Sequence, residues 1–261
     1  MMFAAGLVVV AAVVGTSAQM SGISQTCQQA ATGLLTGPAG ECLGVSGLLN
    51  VAMTPANQSI VDPLNNWLKM TCSQPACSAA TLDSAITNIT NGCATEFGVT
   101  NGTAADIKAY VEEWYLTARD VACLQDSNAG DAYCVTTTLK NIESWTGQPI
   151  TINSLSDGTL ANVVYEKSNN VPKDLTCTPC VQAAYGLIRP KLNDSNRGTW
   201  DNFLGSQCGS SFTTGSSPSS IKQSANSSTQ GSSNNGASAL SGLGALGAAL
   251  LGMAGIAVVG F

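Results

Sequence analysis

Residues 103–123 read TAADIKAYVEEWYLTARDVAC. Within them Ile107, Val111, Trp114, Ala118 and Val121 recur at spacings of four, three, four and three, the period of one helical face. Thr103 followed by Asp106 has the form of a capping box, in which hydroxyl and carboxylate satisfy first-turn amides, so the helix is expected to open at Thr103. Ser78 opens a second helix, with Leu82, Ala85, Ile86, Ile89 and Cys93 on one side. Further helical patterns lie near 23–35, 40–52, 60–71, 131–145, 155–167, 177–189 and 198–206, separated by Gly37-Pro38, Gly98, Gly147 and Pro172. Strand-like alternation is scarce, the best case being the brief Pro149 to Ile152. The fold class expected is all-α.

The cysteines make it a stapled one. Ten of them (Cys27, Cys42, Cys72, Cys77, Cys93, Cys123, Cys134, Cys177, Cys180 and Cys208) lie within the helical stretch. An even count in an exported chain reads as a disulfide framework of five bridges, whose pairing spacing alone does not give. Their order hints at an internal duplication. Cys27, Cys42, the close pair Cys72/Cys77 and Cys93 form one set, and Cys123, Cys134, the close pair Cys177/Cys180 and Cys208 a second. Two such pseudo-repeated halves would carry equivalent bridges.

Export itself is read from the ends. Residues 1–18 are uncharged and apolar, with Thr16-Ser17-Ala18 as a small-residue cleavage site; they fit a signal peptide with the mature chain starting near Gln19. Residues 239–261 are an uncharged apolar tail preceded by the small residues Asn234-Asn235-Gly236-Ala237-Ser238. That order is the glycosylphosphatidylinositol (GPI) attachment signal, with Asn235 the preferred attachment residue and Ser233, Asn234 and Gly236 close rivals. The competing reading is a single membrane span, for which Gly244, Ala248 and Gly252 have the small-residue spacing of helix pairs. No basic residue follows the tail to hold such a span in place. Between Gly209 and Ser238 half of the residues are Ser or Thr, without hydrophobic periodicity. This stretch is expected to be a disordered, O-glycosylated stalk, which leaves 19–208 as the cysteine-rich ectodomain.

Asparagine sequons agree with export: Asn57, Asn88, Asn101, Asn193 and Asn226 each precede an eligible Ser or Thr, Asn101 in the most polar setting. The chain has 10 Lys and Arg against 16 Asp and Glu, and the basic residues form no cluster. Nucleic acid is therefore not an expected partner, since a phosphate backbone would meet no counter-charge.

Catalytic chemistry has little to build on. The sequence contains no histidine, which removes Ser-His-Asp and Cys-His catalysis and histidine metal sites. Cys177-Thr178-Pro179-Cys180 has redox-dithiol spacing, and with Cys72-x4-Cys77 it could supply four zinc-binding sulfurs. Eight other cysteines and an oxidising compartment make structural bridges the better reading. Glu112 and Glu113 are helix neighbours that diverge, whereas Asp126 and Asp131 flank one loop and could pair as a glycosidase dyad. No catalytic residue, cofactor or metal is expected. Leu48, Leu49, Val51, Ile60, Val61, Trp67 and Leu68 form an apolar cluster that either fills the core or lines a lipid cavity.

Three segments carry a family resemblance. Leu64-Asn65-Asn66-Trp67-Leu68 with Cys72-x4-Cys77-Ser78, then Asn88-Ile89-Thr90-Asn91-Gly92-Cys93, then Cys177-Thr178-Pro179-Cys180-Val181-Gln182-Ala183-Ala184-Tyr185 resemble a fungal family of secreted cysteine-rich proteins of unknown function. The resemblance covers roughly residues 25–208 and implies a fungal surface protein, often with a glycolipid-anchor signal; it carries over no catalytic residues. The haem-binding cysteine-rich domain of fungal surface proteins packs eight cysteines into a much shorter stretch than this chain does.

The expectation is thus a non-enzymatic, GPI-anchored protein of the cell surface or cell wall, structural or adhesive. Its partners would be the outer membrane leaflet through the anchor, and cell-wall polysaccharide or lipid. An extracellular lipid- or sterol-binding helical module is the alternative.

Overall fold

The computed structural model describes residues 23–98, 101–167 and 171–227. The signal peptide, Asn235 and the apolar tail lie outside the described residues.

The first four helices are α1 (Gln25–Thr36), α2 (Pro38–Cys42), α3 (Val45–Ala52) and α4 (Val61–Ser73). The span read as one helix over 40–52 is two, broken at Leu43-Gly44. Gly44 has φ +59°, and a Cβ there would sit 2.4 Å from the Thr71 hydroxyl, so only glycine fits. The Leu43 carbonyl accepts from Trp67 Nε1 at 2.9 Å and from the Thr71 hydroxyl at 3.1 Å, so α4 side chains stabilise the break. On α4, Val61, Leu64, Leu68 and Cys72 are buried at helical spacing.

Next come α5 (Ala79–Gly92), α6 (Ala94–Phe97) and α7 (Asn101–Ala122). Ser78 caps α5 by accepting the Thr81 amide, as its sequence position predicts. Thr103 is not the cap of α7, which opens two residues earlier at Asn101. After α7 come β1 (Leu124–Asp126), β2 (Ala132–Tyr133), α8 (Cys134–Thr146), α9 (Ile152–Ser156), α10 (Thr159–Lys167), α11 (Lys173–Thr176), α12 (Pro179–Ile188), α13 (Asp194–Cys208) and β3 (Ile221–Gln223). Among the described residues, thirteen α-helices against three short strands make this an all-α, disulfide-stapled domain.

Two further details depart from the sequence reading. Pro149 to Ile152 is not a strand; Ile150 is a core residue whose carbonyl accepts the Ile60 amide at 2.9 Å. The strands are instead β2-β1-β3, antiparallel, with Gln125 opposite Tyr133 on one side and Lys222 on the other. The folded region also does not end at Cys208. Phe212 is 6% exposed within a core cluster, and β3 completes the sheet, so the Ser-rich stretch is a docked arm through residue 227. Residues 228–238 of the expected stalk lie outside the described residues.

The large apolar residues form two clusters. Val51, Ile60, Val61, Leu64 and Leu68 meet Leu139, Ile142 and Leu175 in one, and Val181, Ala184, Tyr185, Ile188, Leu204 and Phe212 form the other. The pair α1 and α5 stands outside both and packs through small residues and a disulfide, with Ala31 and Cys27 buried on α1.

All ten cysteines are bridged: Cys27–Cys93, Cys42–Cys77, Cys72–Cys123, Cys134–Cys180 and Cys177–Cys208. The duplication suggested by cysteine order requires a Cys123–Cys208 bridge to match Cys27–Cys93, and that bridge is not formed. A different repeat fits the pairing. Cys42, Cys72, Cys77 and Cys123 make one unit, and Cys134, Cys177, Cys180 and Cys208 the second. In each unit the first cysteine joins the third and the second joins the fourth. The local structure repeats as well. A hydroxyl residue at the close pair, Ser78 or Thr178, caps the next helix; the fourth cysteine follows α7 directly in the first unit, with the short α6 intervening, and ends α13 in the second. Cys27–Cys93 is an addition to the first unit, holding α1 onto it.

Candidate functional site

The cysteines and the two loop aspartates singled out for chemistry all have structural partners. Cys177 and Cys180 are bonded to different cysteines, as are Cys72 and Cys77, so neither close pair is a dithiol or a zinc claw. Among the described residues no group of three or more His, Cys, Asp or Glu is placed to hold a metal ion. The Asp126 carboxylate accepts the Asn128 amide at 3.0 Å and caps a turn, whereas Asp131 pairs with Lys222 at 3.1 Å across the sheet. The two flanking acids are therefore spent on the β1–β2 loop and on the docked arm. Glu112 lies 4.0 Å from Lys108 one turn away. The apolar cluster builds core rather than cavity wall: Val51, Ile60, Val61 and Leu68 are buried, and Trp67 packs against them.

The best-formed polar constellation joins α12 and α13. Arg189 grips Asp201 through two hydrogen bonds of 2.8 Å, and the Tyr185 hydroxyl donates to the same carboxylate at 2.7 Å. The Arg189 guanidinium is the chief cause of a carboxyl held below its ordinary range, with the Tyr185 hydrogen bond adding to it. Burial pushes the Tyr185 hydroxyl in the opposite direction, upward, and its bond to Asp201 reinforces the shift. This arrangement locks two helices together over the second core cluster; sequence spacing of 4 and 12 residues along separate helices concealed it. A carboxyl whose pKa is lowered by folding contributes stability above its unfolded value of ~3.9 and loses it as pH falls through the folded value. Asp201→Asn is accordingly expected to melt below wild type at pH 7, the gap closing as pH drops from about 4 toward 2. Thermal melts of both proteins across that range check this; a gap that persists at pH 2 contradicts it.

The other cation of interest is Arg119, buried between α4 and α7, which donates to the Thr71 carbonyl at 2.8 Å and to the Gln74 carbonyl. Burial also pushes the Tyr110 hydroxyl up to about 12.

Two shallow grooves stand out on the surface of the described residues. One of about 220 Å³ lies between Gly47 and Trp67, with Met70 at its edge. A larger one of about 300 Å³ runs between α1–α2 and α5 and ends at Asn88.

The sequons are unequal in their surroundings. Asn57 sits exposed in a turn, and Asn88 is exposed on α5. Asn193 caps α13 with its side-chain oxygen, accepting the Asn196 amide at 2.9 Å. Asn226 donates from its own amide nitrogen, the atom a glycan would occupy, to the Ser73 carbonyl at 3.0 Å. Asn101 starts α7, and its side chain is outside the described residues. Sequence reasoning ranked Asn101 first and had no means of seeing that Asn226 is engaged.

Compared with known proteins, the chain matches no family model, no curated protein and no solved structure.

Proposed function

We propose that this is a non-enzymatic fungal cell-surface or cell-wall protein, exported, N-glycosylated and held on the outer leaflet by a glycolipid attached at Asn235. Its role is structural or adhesive. The observation that carries the reading is the closure of all ten cysteines into five bridges, a framework that persists in an oxidising compartment outside the cytosol. The employment of Asp126, Asp131 and Asp201 in turns and ion pairs supports a domain built for shape rather than for turnover. The docked arm modifies the picture of a long stalk. The docked arm is described through residue 227, and the eight residues from there to Asn235 span at most ~30 Å of chain. The domain stands close to the surface that carries it.

The test is expression of the full chain in a fungal host, followed by treatment of intact cells with a phosphatidylinositol-specific phospholipase. Release of the protein into the medium is the expected result. A protein that stays with the cells after lipase, or that is found in the cytosol with free thiols, would remove the reading.

A further inference from the structure

We propose that the groove between α1–α2 and α5 is a sugar-binding cleft for the chain's own N-glycan, attached at Asn88. The inference rests on the export proposed above, because only an exported chain meets the glycosylation machinery.

The groove exists because two antiparallel helices touch at one end and part at the other. At the closed end Cys27–Cys93 ties them, and a Cβ on Gly92 would come within 2.5 Å of the Ala30 methyl. At the open end nothing lies within 4 Å of where a Cβ on Gly33 would stand. The walls there are small or aliphatic: Gly33, Leu34 and Pro38 on one side, Ala80, Ser84 and Ala85 on the other. The space left between the two helices is an open surface groove of about 300 Å³.

Asn88 supplies an occupant for it. It lies in the sequon Asn88-Ile89-Thr90, is exposed, and itself lines the groove. A helical side chain leans toward the helix N-terminus and covers the residue one turn earlier. From Asn88 this direction leads over Ser84, along the open groove toward Thr81, ~10 Å away at 1.5 Å per residue. A first N-acetylglucosamine is thereby laid into the cleft rather than out into water. Its apolar ring face meets Leu34 and Pro38, and the Ser84 hydroxyl is within the lining to meet a sugar hydroxyl.

Gly33 leaves the α1 wall bare, as Gly198 and Gly205 leave parts of α13 bare, each with nothing within 4 Å of a Cβ. Glycine inside a helix costs about 0.5–1 kcal/mol relative to alanine, and no neighbour in the protein requires it at this position. Gly92 is explained by Ala30, and Gly44 by Thr71; Gly33 has no such partner. Bare backbone facing a groove is what a sugar ring needs for close approach.

The full chain is expressed in a eukaryotic host as wild type, Asn88→Gln and Asn57→Gln. Asn88 is an exposed helix position, so its substitution leaves the fold intact; Thr90→Ala is avoided because the buried Thr90 hydroxyl bonds the Ile86 carbonyl at 2.7 Å. Site-mapping mass spectrometry reads occupancy. Hydrogen exchange of peptides covering 28–40 and 79–90 is then compared in three forms: intact, trimmed to one N-acetylglucosamine, and stripped. The expected result is an occupied Asn88, with exchange in both peptides slow in the intact and trimmed forms. Exchange is expected to be several-fold faster in the stripped form and in Asn88→Gln, with no change from Asn57→Gln. An unoccupied Asn88 overturns the inference, as does an Asn88→Gln profile identical to that of Asn57→Gln. If the other sequons are occupied, only the cleft has failed. If none is occupied and the chain is not exported, the surface reading fails with it.

Discussion

Replacing Cys72 and Cys123 together by alanine is expected to cost roughly 4 kcal/mol and to lower the melting midpoint by on the order of 10 °C. The bridge closes a loop of 51 residues, which by chain entropy alone places it in that range. Its position adds to the effect. Both cysteines are 1% exposed or less, so alanine also leaves small cavities where two sulfurs were packed. The backbone of both residues is in addition the landing strip of the C-terminal arm. The Cys123 carbonyl accepts the Ser224 amide at 3.0 Å and hydroxyl at 2.7 Å, and the Cys72 carbonyl accepts the Asn226 amide at 2.9 Å. Freed of the cross-link, these carbonyls shift apart, and the arm loses its register along β1. Cys177–Cys208 is the natural comparison. It closes 31 residues, both cysteines are half-buried, and among the described residues its carbonyls accept no hydrogen bond from the arm, so its removal should cost less. Thermal melts give the order of stability, and limited proteolysis after residue 208 gives the state of the arm. Equal losses from the two double variants, or an arm still protected in C72A/C123A, would show that the bridge is not the organising link.

That link was illegible before the structure, for physical reasons specific to these elements. The helices showed themselves because Ile107, Val111, Trp114, Ala118 and Val121 repeat at one face, because Ser78 sits where a cap belongs, and because Gly147 separates two patterns, the structure making it the C-cap of α8. The sheet did not, since strands of two and three residues are too short for alternation to register. The arm was hidden by its own composition. A Ser-rich stretch reads as stalk whether free or docked, and only Phe212 and Ile221, two large apolar residues in a polar run, marked the difference. The pairing of ten cysteines was beyond spacing rules, and starting the alignment at Cys27 obscured the repeat, because Cys27 belongs to an added helix and not to either four-cysteine unit. The groove beside Asn88 depended on α1 and α5 parting, a tertiary fact. The helical face of α5 was nevertheless readable: Leu82 is inward, as its periodicity predicts, and Asn88 is outward. Arg119 is the opposite case, a charged residue that periodicity would send to solvent and that the fold buries.

Arg119→Met is expected to destabilise the domain by about 2–4 kcal/mol, although methionine fills much of the space and suits a helix. The guanidinium is 5% exposed and spans from α7 to the end of α4, donating to the Thr71 and Gln74 carbonyls. The Thr71 carbonyl also accepts the Gln74 amide at 3.3 Å and keeps that partner, so the loss is of the guanidinium's charge-assisted bonds to Thr71 and to the C-cap residue Gln74, each worth ~1.5–3 kcal/mol. The same helix end carries a partial negative charge, which compensates a buried cation where, among the described residues, no carboxylate is within ion-pair distance. Lysine keeps the charge but not the planar fork that reaches two acceptors, so Arg119→Lys should recover only part of the loss. A pH series distinguishes this account from simple loss of packing. Burial raises the neighbouring Asp120 carboxyl, and Arg119 opposes that rise. Without the guanidinium the Asp120 pKa climbs further in the folded state. A raised carboxyl binds its proton more tightly folded than unfolded, so stability is lost as pH rises through its folded value. The deficit of Arg119→Met relative to wild type should therefore be widest at neutral pH and narrow as Asp120 is protonated on acidification. Urea midpoints of wild type, Arg119→Met and Arg119→Lys between pH 7 and pH 4 decide it. A pH-independent deficit would assign Arg119 a packing role alone, and no deficit at all would mean that water satisfies the two carbonyls as well as the arginine does.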